Sequence, residues 1–131
     1  MNKEEIICIL KKYKLEKDKY VVISGACMVL YGIKDFTSDI DISVTEEYYN
    51  KLLREHNCSF ERINEYGEKI YFIDNIINFG TTYYTNHINY IDDIPVTDLD
   101  ELIKLKKFLN RDKDKIDIEK IKKFKENYER Y

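Results

Sequence analysis

Apolar and polar positions recur along this chain with two different periods. Helical spacing of apolar residues predicts amphipathic helices near residues 3–13, 46–56, 98–109 and 113–128. Short β-branched and aromatic runs predict strands at Tyr20–Ile23, Asp39–Val44, Phe60–Ile63, Lys69–Ile73, Ile76–Phe79 and around Ile88–Ile91. Residues 92–96 are predicted to form a turn and a sheet edge, because Pro95 cannot donate a ladder hydrogen bond.

This mixture of strands and helices indicates an α/β (α+β) fold, with a mixed sheet of four to five strands flanked by helices. A chain of 131 residues suits a single domain, residues 1–131, with a sizeable core. Thr45 and Thr97 each precede acidic residues, and we expect both to cap the helices that follow them.

Residues 20–44 are the most regularly organised part of the sequence. After the first strand, Ser24 and Gly25 form a turn of small residues. A short helix from Ala26 to Tyr31 would direct its free N–H groups at that turn, and phosphate groups bind well at such helix N-termini. The stretch therefore predicts a phosphate-binding turn between two strands.

Two aspartates share one face of the second strand. Side chains two residues apart on a strand point to the same face, which places Asp39 and Asp41 together, with Cα atoms roughly 6.6–6.8 Å apart. Ile40 and Ile42 then point into the core. Two carboxylates in this arrangement could hold one Mg²⁺ ion or bracket two. The alternative is an ordinary polar strand face, since Asp-x-Asp occurs twice more in the charge-rich C-terminal part.

The same region resembles the signature of a known superfamily. The run SGACMVLYGIKDFTSDIDISV is similar to the DNA polymerase β-like nucleotidyltransferases, in the minimal branch that includes lincosamide-resistance enzymes and abortive-infection toxins. The residues shared with that pattern are Gly25, Gly32, Thr37, Asp39 and Asp41. The chain departs from it at Ser24, where the branch often has glycine, and at Asp35, where it usually has arginine; Lys34 is the neighbouring cation.

A second resemblance to the same branch lies near the C-terminus, in the run LIKLKKFLNRDKDKIDIEKI. The matching positions are Lys106, Arg111, Lys113, Asp114, Asp117 and Ile118. We expect the Lys106 stem to follow the edge of the core, with its ammonium in the cleft. In that position, replacement by alanine would leave the melting temperature almost unchanged and weaken nucleotide binding.

The resemblance implies transfer of a nucleoside monophosphate from Mg-NTP to a hydroxyl group. Asp39 and Asp41 would be catalytic ligands of one or two Mg²⁺ ions, or of Mn²⁺ in their place. The residues expected to contact the nucleotide are Ser24, Gly25, Thr37, Lys106 and Lys113. The acceptor stays open between a small molecule, a tRNA or other RNA end, and a protein, and a homodimer or a partner protein would complete the cleft.

Members of this superfamily also place a third carboxylate on a strand beside the Asp-x-Asp strand. In this chain Asn78 occupies the central position of that strand. Asp74, at the strand boundary, is the candidate third catalytic carboxylate, and an ordinary turn aspartate is the equal alternative. Without a third carboxylate the protein would be a catalytically weak or inactive nucleotidyltransferase-like module that binds a partner, such as an antitoxin or a regulatory subunit.

The charge distribution is consistent with an anionic substrate. Residues 1–103 hold 11 basic and 19 acidic residues, net −8, whereas residues 104–131 hold 11 basic and 6 acidic, net +5. A basic part beside an acidic site suits a Mg-nucleotide or a nucleic acid, although a solvated lysine-rich helix face is the simpler interpretation. No apolar run approaches the length of a membrane span, so we expect a cytoplasmic protein without membrane contact.

Overall fold

The computed structural model describes residues 1–129; residues 130 and 131, the last two of the predicted domain, lie outside it. Over the described range the chain forms five α-helices and one mixed sheet of seven strands, an α+β architecture. The helices are α1 (Lys3–Tyr13), α2 (Ser24–Tyr31), α3 (Glu46–Glu55), α4 (Leu99–Leu109) and α5 (Asp112–Glu129). The strands are β1 (Tyr20–Ile23), β2 (Ile40–Val44), β3 (Cys58–Ile63), β4 (Lys69–Ile73), β5 (Ile77–Gly80), β6 (Ile88–Ile91) and β7 (Ile94–Thr97). No helix within residues 1–129 is both long enough and apolar enough to cross a bilayer.

The sheet has the strand order β3-β4-β5-β2-β1-β7-β6. β1 and β2 are antiparallel neighbours near its centre, and each pairs in parallel on its other side, β2 with β5 and β1 with β7. The outer pairs are antiparallel. Strands in parallel pairs are usually covered on both faces, and β1, β5 and β7 are buried at all four of their residues.

The aliphatic side of β2 faces the core, as its alternation predicts. Ile40 and Ile42 are 0% and 2% exposed. The core residues that the helices contribute include Ile6 and Leu10 of α1, Met28 of α2, Leu52 of α3, Leu102 of α4 and Ile121 of α5. Since the isoleucines occupy the core side, Asp41 lies on the opposite face of the strand. Asp39, which was predicted to begin this strand, lies immediately before it.

The prediction of four to five strands is wrong in number, because the region after β5 forms a complete hairpin. Asp92 and Asp93 both have positive φ angles, 48° and 72°, which is the backbone of the two-residue turn that best joins twisted strands. Their turn returns the chain as β7 between β1 and β6. The prediction that Pro95 lies at a sheet edge is therefore wrong. Proline is compatible with this inner strand because β7 pairs with β1 only at Val96 and Val22, so the missing Pro95 N–H breaks no pair with β1.

Side-chain caps begin several helices. Thr45 caps α3 as predicted, accepting a hydrogen bond from the Tyr48 backbone N–H at 3.2 Å. The prediction that Thr97 caps the next helix is wrong, because Thr97 is still part of β7 and its hydroxyl donates to the Val22 carbonyl at 3.1 Å. The cap of α4 is Asp98, whose carboxylate accepts from the Glu101 N–H at 2.8 Å.

Candidate functional site

An open cleft of about 630 Å³ lies over the face of β2 that carries the two aspartates. Its walls come from the turn between β1 and α2, from β2, β3 and β5, and from the adjoining ends of α4 and α5. The predicted site residues that it brings together are Ser24, Gly25, Thr37, Asp39, Asp41, Lys106 and Lys113. Asp74, the predicted third carboxylate, does not line it.

The aspartate pair forms an acidic floor that is only partly neutralised. Asp41 lies opposite Asn78 of β5 in the parallel register. The Asn78 amide donates to Asp39 Oδ2 at 3.3 Å. Burial, followed by repulsion from Asp39, raises the pKa of Asp41 to about 6, against a smaller opposing effect of its hydrogen bond with Asn78. The pair therefore holds two like charges in a place where water stabilises them poorly.

Glu61 supplies a further carboxylate, and a β-bulge places it there. In the β3–β4 ladder Phe60 pairs with Tyr71 and Arg62 with Ile70, so Glu61 is an extra residue in β3. A bulge of this kind re-aims the side chain of the inserted residue. Glu61 is half-buried in the cleft wall, and within residues 1–129 its Oε2 atom has no hydrogen-bond partner. Its other oxygen lies 3.5 Å from Arg62 Nε.

The environment of Glu61 favours its protonated form. Burial raises the pKa of Glu61, and the charge of Asp39 raises it further, whereas Arg62 acts in the opposite direction. The influence of Asp39 indicates that the Glu61 carboxylate belongs to the same electrostatic environment as the acidic floor. Sequence reasoning missed Glu61 because strand alternation carries no sign of a bulge; the only signal was that it is one of few acids in that stretch.

Asp74 lies in the tight turn between β4 and β5, away from the cleft. Its φ angle is 52°, and Asn75 beside it is also left-handed at 57°. Its carboxylate accepts a hydrogen bond from the Tyr13 hydroxyl of α1. Asp74 is therefore a turn aspartate, which was the alternative to the third catalytic carboxylate. Its side chain links α1 to the sheet and does not belong to the carboxylates of the cleft.

The junction of β1 and α2 brings backbone close to the cleft. α2 begins directly at Ser24, two residues earlier than predicted, and Ser24 has a left-handed φ of 57°. A Cβ on Gly25 would lie 3.0 Å from Thr37 Oγ1, so glycine is needed for this close approach. The first N–H groups of α2 have no side-chain cap, which is the state required for binding an anion there.

Lys106 is buried in an ion-pair network instead of projecting freely into the cleft. Only 7% of its side chain is exposed, and its ammonium lies 3.1 Å from Asp117 Oδ2 and 3.6 Å from Asp114 Oδ1. The two aspartates are themselves 6% and 0% exposed. The expectation that Lys106→Ala would leave the melting temperature unchanged is therefore wrong, since the change would leave two buried carboxylates short of a cation.

Two further cations complete this network. Arg111 binds Asp114 with two guanidinium nitrogens, at 2.7 and 3.1 Å. Lys34, from the loop before β2, lies 3.2 Å from Asp117 and lines the cleft. Burial would raise the pKa of Asp114, but the hydrogen bonds and charge of Arg111 lower it below its usual value. The network therefore has three cations for two carboxylates and forms a basic wall of the same cleft that holds the acidic floor.

Lys113 differs from Lys106 in its surroundings. It lies at the start of α5, lines the cleft and is exposed to solvent. Within residues 1–129 it has no ion-pair partner. Of the two lysines expected to contact the nucleotide, Lys113 is the one that is free to bind an anion.

Glu68 is an acid of the cleft wall with a structural role. Its carboxylate accepts hydrogen bonds from the Thr81 N–H at 2.7 Å and from the Thr82 N–H and hydroxyl at 3.0 and 2.8 Å. Burial opposes ionisation, but these hydrogen bonds lower the pKa of Glu68 below its usual value. A Cβ on Gly80 would lie 2.6 Å from Glu68 Oε1, so glycine makes room for this contact. The tip of the β3–β4 hairpin is thereby fastened to the segment after β5.

Two neighbouring aspartates are the candidate metal ligands of the cleft. Among residues 1–129 no three His, Cys, Asp or Glu side chains are grouped closely enough to hold a metal ion. Mg²⁺ is commonly held by one or two carboxylates together with waters and substrate phosphates. Asp39 and Asp41 meet that lower requirement, and a cation would offset the repulsion that raises the Asp41 pKa.

Comparison with known proteins adds no identification: no protein-family model, no curated protein and no solved structure matches this chain.

Proposed function

We propose that this protein is a nucleotidyltransferase of the DNA polymerase β-like kind, which moves a nucleoside monophosphate from Mg-NTP to a hydroxyl group. The observation that carries the proposal is the pairing of opposite charges across one cleft. The acidic floor of Asp39 and Asp41 faces the basic wall of α4 and α5, with the free N–H groups of α2 beside it. A metal-bound triphosphate has complementary charges, because the cation suits the floor and the phosphates suit the wall.

The residues of the floor would hold the metal ion. Asp39 and Asp41 are its ligands in this proposal, and a bound Mg²⁺ supplies charge neutralisation at the phosphates. Ser24 and Gly25 contribute backbone N–H groups at the start of α2, and Thr37 contacts Gly25 closely enough to fix that turn.

Glu61 is the best-placed proton acceptor for the attacking hydroxyl. It lies in the cleft wall, has an oxygen without a partner in the described part of the chain, and has a raised pKa because of burial. A carboxylate whose pKa moves towards neutrality is a better match for general base catalysis. Arg62 lies at the other Glu61 oxygen and would orient it.

The basic wall divides into binding and positioning residues. Lys113 would bind phosphate directly, because it is exposed in the cleft and unpaired within residues 1–129. Lys106 is a positioning residue, because its ion pairs with two aspartates of α5 fix α4 and α5 relative to each other. Lys34 reaches the same Asp117 from the loop before β2, and it takes the place of the arginine expected at position 35.

A non-catalytic, partner-binding module is the second candidate, and Asn78 is the observation that favours it. Asn78 lies directly opposite Asp41, where the resemblance predicts an acid. An amide there can hydrogen-bond the floor but cannot accept a proton as a carboxylate does. The two candidates differ in whether Glu61 compensates for that substitution.

Calorimetry with each NTP and Mg²⁺ tests the proposal first. We expect the parent to bind at least one NTP only when Mg²⁺ is present, and Asp39→Asn/Asp41→Asn to lose that binding. Labelled NTPs incubated with tRNA, an aminoglycoside, a lincosamide and a cell lysate then test transfer. Binding by the parent without label transfer to any acceptor would favour the module, and absence of NTP binding by the parent would contradict both the enzyme and its metal site.

A further inference from the structure

A smaller cavity of about 260 Å³ adjoins the cleft, and four of its eleven lining residues are aromatic. The residues that line both cavities are Ile23, Thr82, Tyr83 and Leu105. We call the smaller one the side cavity; Tyr66, Tyr83 and Phe108 form its aromatic wall, with Glu101 and Lys104 among its polar residues. The side cavity is thus next to the cleft, within reach of a ligand whose charged end lies in the cleft.

Two of these rings face each other from different elements. Tyr66 lies in the turn between β3 and β4, and Phe108 lies on α4. Their ring planes are within 12° of parallel, with centroids 5.5 Å apart. The two residues are 59% and 57% exposed, so neither ring is placed by core packing. The two rings form a slot that is closed in this structure, because they stack on each other. A planar ring enters between them only when they separate by roughly 3.5 Å, the thickness of one ring.

Tyr83, beside Tyr66, has a hydroxyl group without a partner in the described part of the chain. Tyr83 meets Tyr66 edge to face, with centroids 6.1 Å apart, and its backbone N–H is fixed by Ser43 Oγ at 3.1 Å. Its hydroxyl oxygen is buried and has no hydrogen-bond partner within residues 1–129. Buried hydroxyl groups of folded proteins almost always have a partner, so this one points to a ligand that supplies it.

We propose that the side cavity is a nucleobase subsite, in which the base stacks between Tyr66 and Phe108 and its polar edge pairs with the Tyr83 hydroxyl. Stacking rings and a hydrogen-bonding edge together select a planar heterocycle over an apolar ring or a sugar. The inference rests on the proposed function in that the base belongs to the NTP whose phosphates occupy the cleft. The terminal nucleotide of a nucleic-acid acceptor would present the same kind of base, and it is the other candidate occupant of the side cavity.

The test separates base binding from phosphate binding. Affinities for the four NTPs and for inorganic tripolyphosphate, all with Mg²⁺, are measured for the parent, Tyr66→Ala, Phe108→Ala and Tyr83→Phe. We expect each alanine change to weaken binding of the preferred NTP about tenfold, the scale of one stacked base, and to leave tripolyphosphate affinity unchanged. Tyr83→Phe should reduce the preference among the four bases. Tyr90→Ala is the matched control, because Tyr90 is 54% exposed and lines neither cavity.

Unchanged NTP affinity in both alanine variants would overturn the subsite and leave the proposed nucleotidyltransferase intact. An equal loss of NTP and tripolyphosphate binding would also overturn it, since the rings would then only support the cleft. If the parent binds neither probe, the proposed function fails and the same variants are tested with five-nucleotide RNAs of single base composition. Weaker RNA binding by Tyr66→Ala and Phe108→Ala would then support the subsite with the acceptor as its source, and no RNA binding by the parent would overturn it.

Discussion

The acidic floor and the basic wall of the cleft each contain two aspartates, but the surroundings of the two pairs differ. On the wall, Asp114 and Asp117 are buried yet fully paired with cations, and the pKa of Asp114 is lowered by Arg111. On the floor, Asp39 and Asp41 repel each other, and the pKa of Asp41 is raised. Removing one partner from buried charges that the chain neutralises itself destabilises the fold, whereas charges left without a counter-ion are candidates for binding a ligand that supplies one.

The largest effect is expected on turnover, at Glu61 beside the floor. Glu61→Gln keeps the size of the side chain and removes its ability to accept a proton, so we expect turnover to fall by roughly 10²–10⁴-fold with NTP affinity nearly unchanged. Label transfer and calorimetry measure the two quantities separately. Glu65→Gln is the control, because Glu65 is exposed and also lines the cleft. Turnover of Glu61→Gln equal to that of the parent would show that Glu61 is not the proton acceptor.

Lys106→Met should be the most destabilising change in the wall. The methionine fills a similar volume but leaves Asp114 and Asp117 with fewer cations, and breaking a buried pair costs about 3 kcal/mol. Chemical denaturation measures this loss. Lys107→Met, on the same helix but exposed, should stay within roughly ±0.5 kcal/mol. A Lys106 variant as stable as the parent would mean that the network does not hold α4 and α5 together.

Asp41→Asn should have the opposite effect on stability. Because the folded protein raises the pKa of Asp41 to about 6 from an unfolded value of 3.8, the folded state binds more protons between those pH values. Stability contributed by the protonated form is therefore lost as pH rises through that window, by on the order of 3 kcal/mol. Asp41→Asn should remove the loss, and Mg²⁺ should reduce it in the parent.

Denaturation of parent and Asp41→Asn at pH 4, 5, 6 and 7.5 checks this prediction. Asp35→Asn is the control, since Asp35 is exposed and lies outside the cleft. The same pH dependence in parent and Asp41→Asn would show that the floor is not electrostatically strained, and the contrast with the wall would fail.

The smallest effect is expected at Lys113, which is exposed. Lys113→Ala should leave stability unchanged within roughly 0.5 kcal/mol and weaken Mg-NTP binding a few-fold, because a solvent-exposed charge pair contributes about 0.2–1 kcal/mol. The deficit should shrink as salt is added. Lys115→Ala is the control, because Lys115 is exposed on the same helix and does not line the cleft. An equal loss of Mg-NTP affinity in the two variants would mean that the effect comes from the net charge of the protein and not from a contact of Lys113 with the nucleotide.

The sequence was sufficient for local features and insufficient for features that depend on several elements. The aliphatic alternation of β2 predicted which side Asp39 and Asp41 occupy, because period two is a property of one strand. Glu61 could not be found in the same way, since the bulge exists only in the register between β3 and β4. The burial of Lys106 was equally hidden, because its partners lie on α5 and the helical pattern alone places a lysine at the surface.

The strand count failed for a related reason. A Pro95 next to two aspartates reads locally as a turn and an edge, but the left-handed Asp92 and Asp93 allow a tight hairpin. Only the pairing of Val96 with Val22 places β7 inside the sheet. Local signals therefore predicted most helices and strands, whereas their neighbours in the sheet required the structure.

The position of the β-bulge also bears on how this protein could change over evolutionary time. Asp41 of the acidic floor lies on a central strand, between the buried residues Ile40 and Ile42. Glu61 lies on β3, the outermost strand on its side, and depends on one inserted residue. That inserted residue is Glu61 itself, so its deletion would restore a regular ladder and remove the carboxylate without affecting the central strands. Under the proposed function, descendants of this chain could thus change from a catalyst to an inert nucleotide-binding protein by losing a single codon, while the rest of the fold stays under unchanged selection.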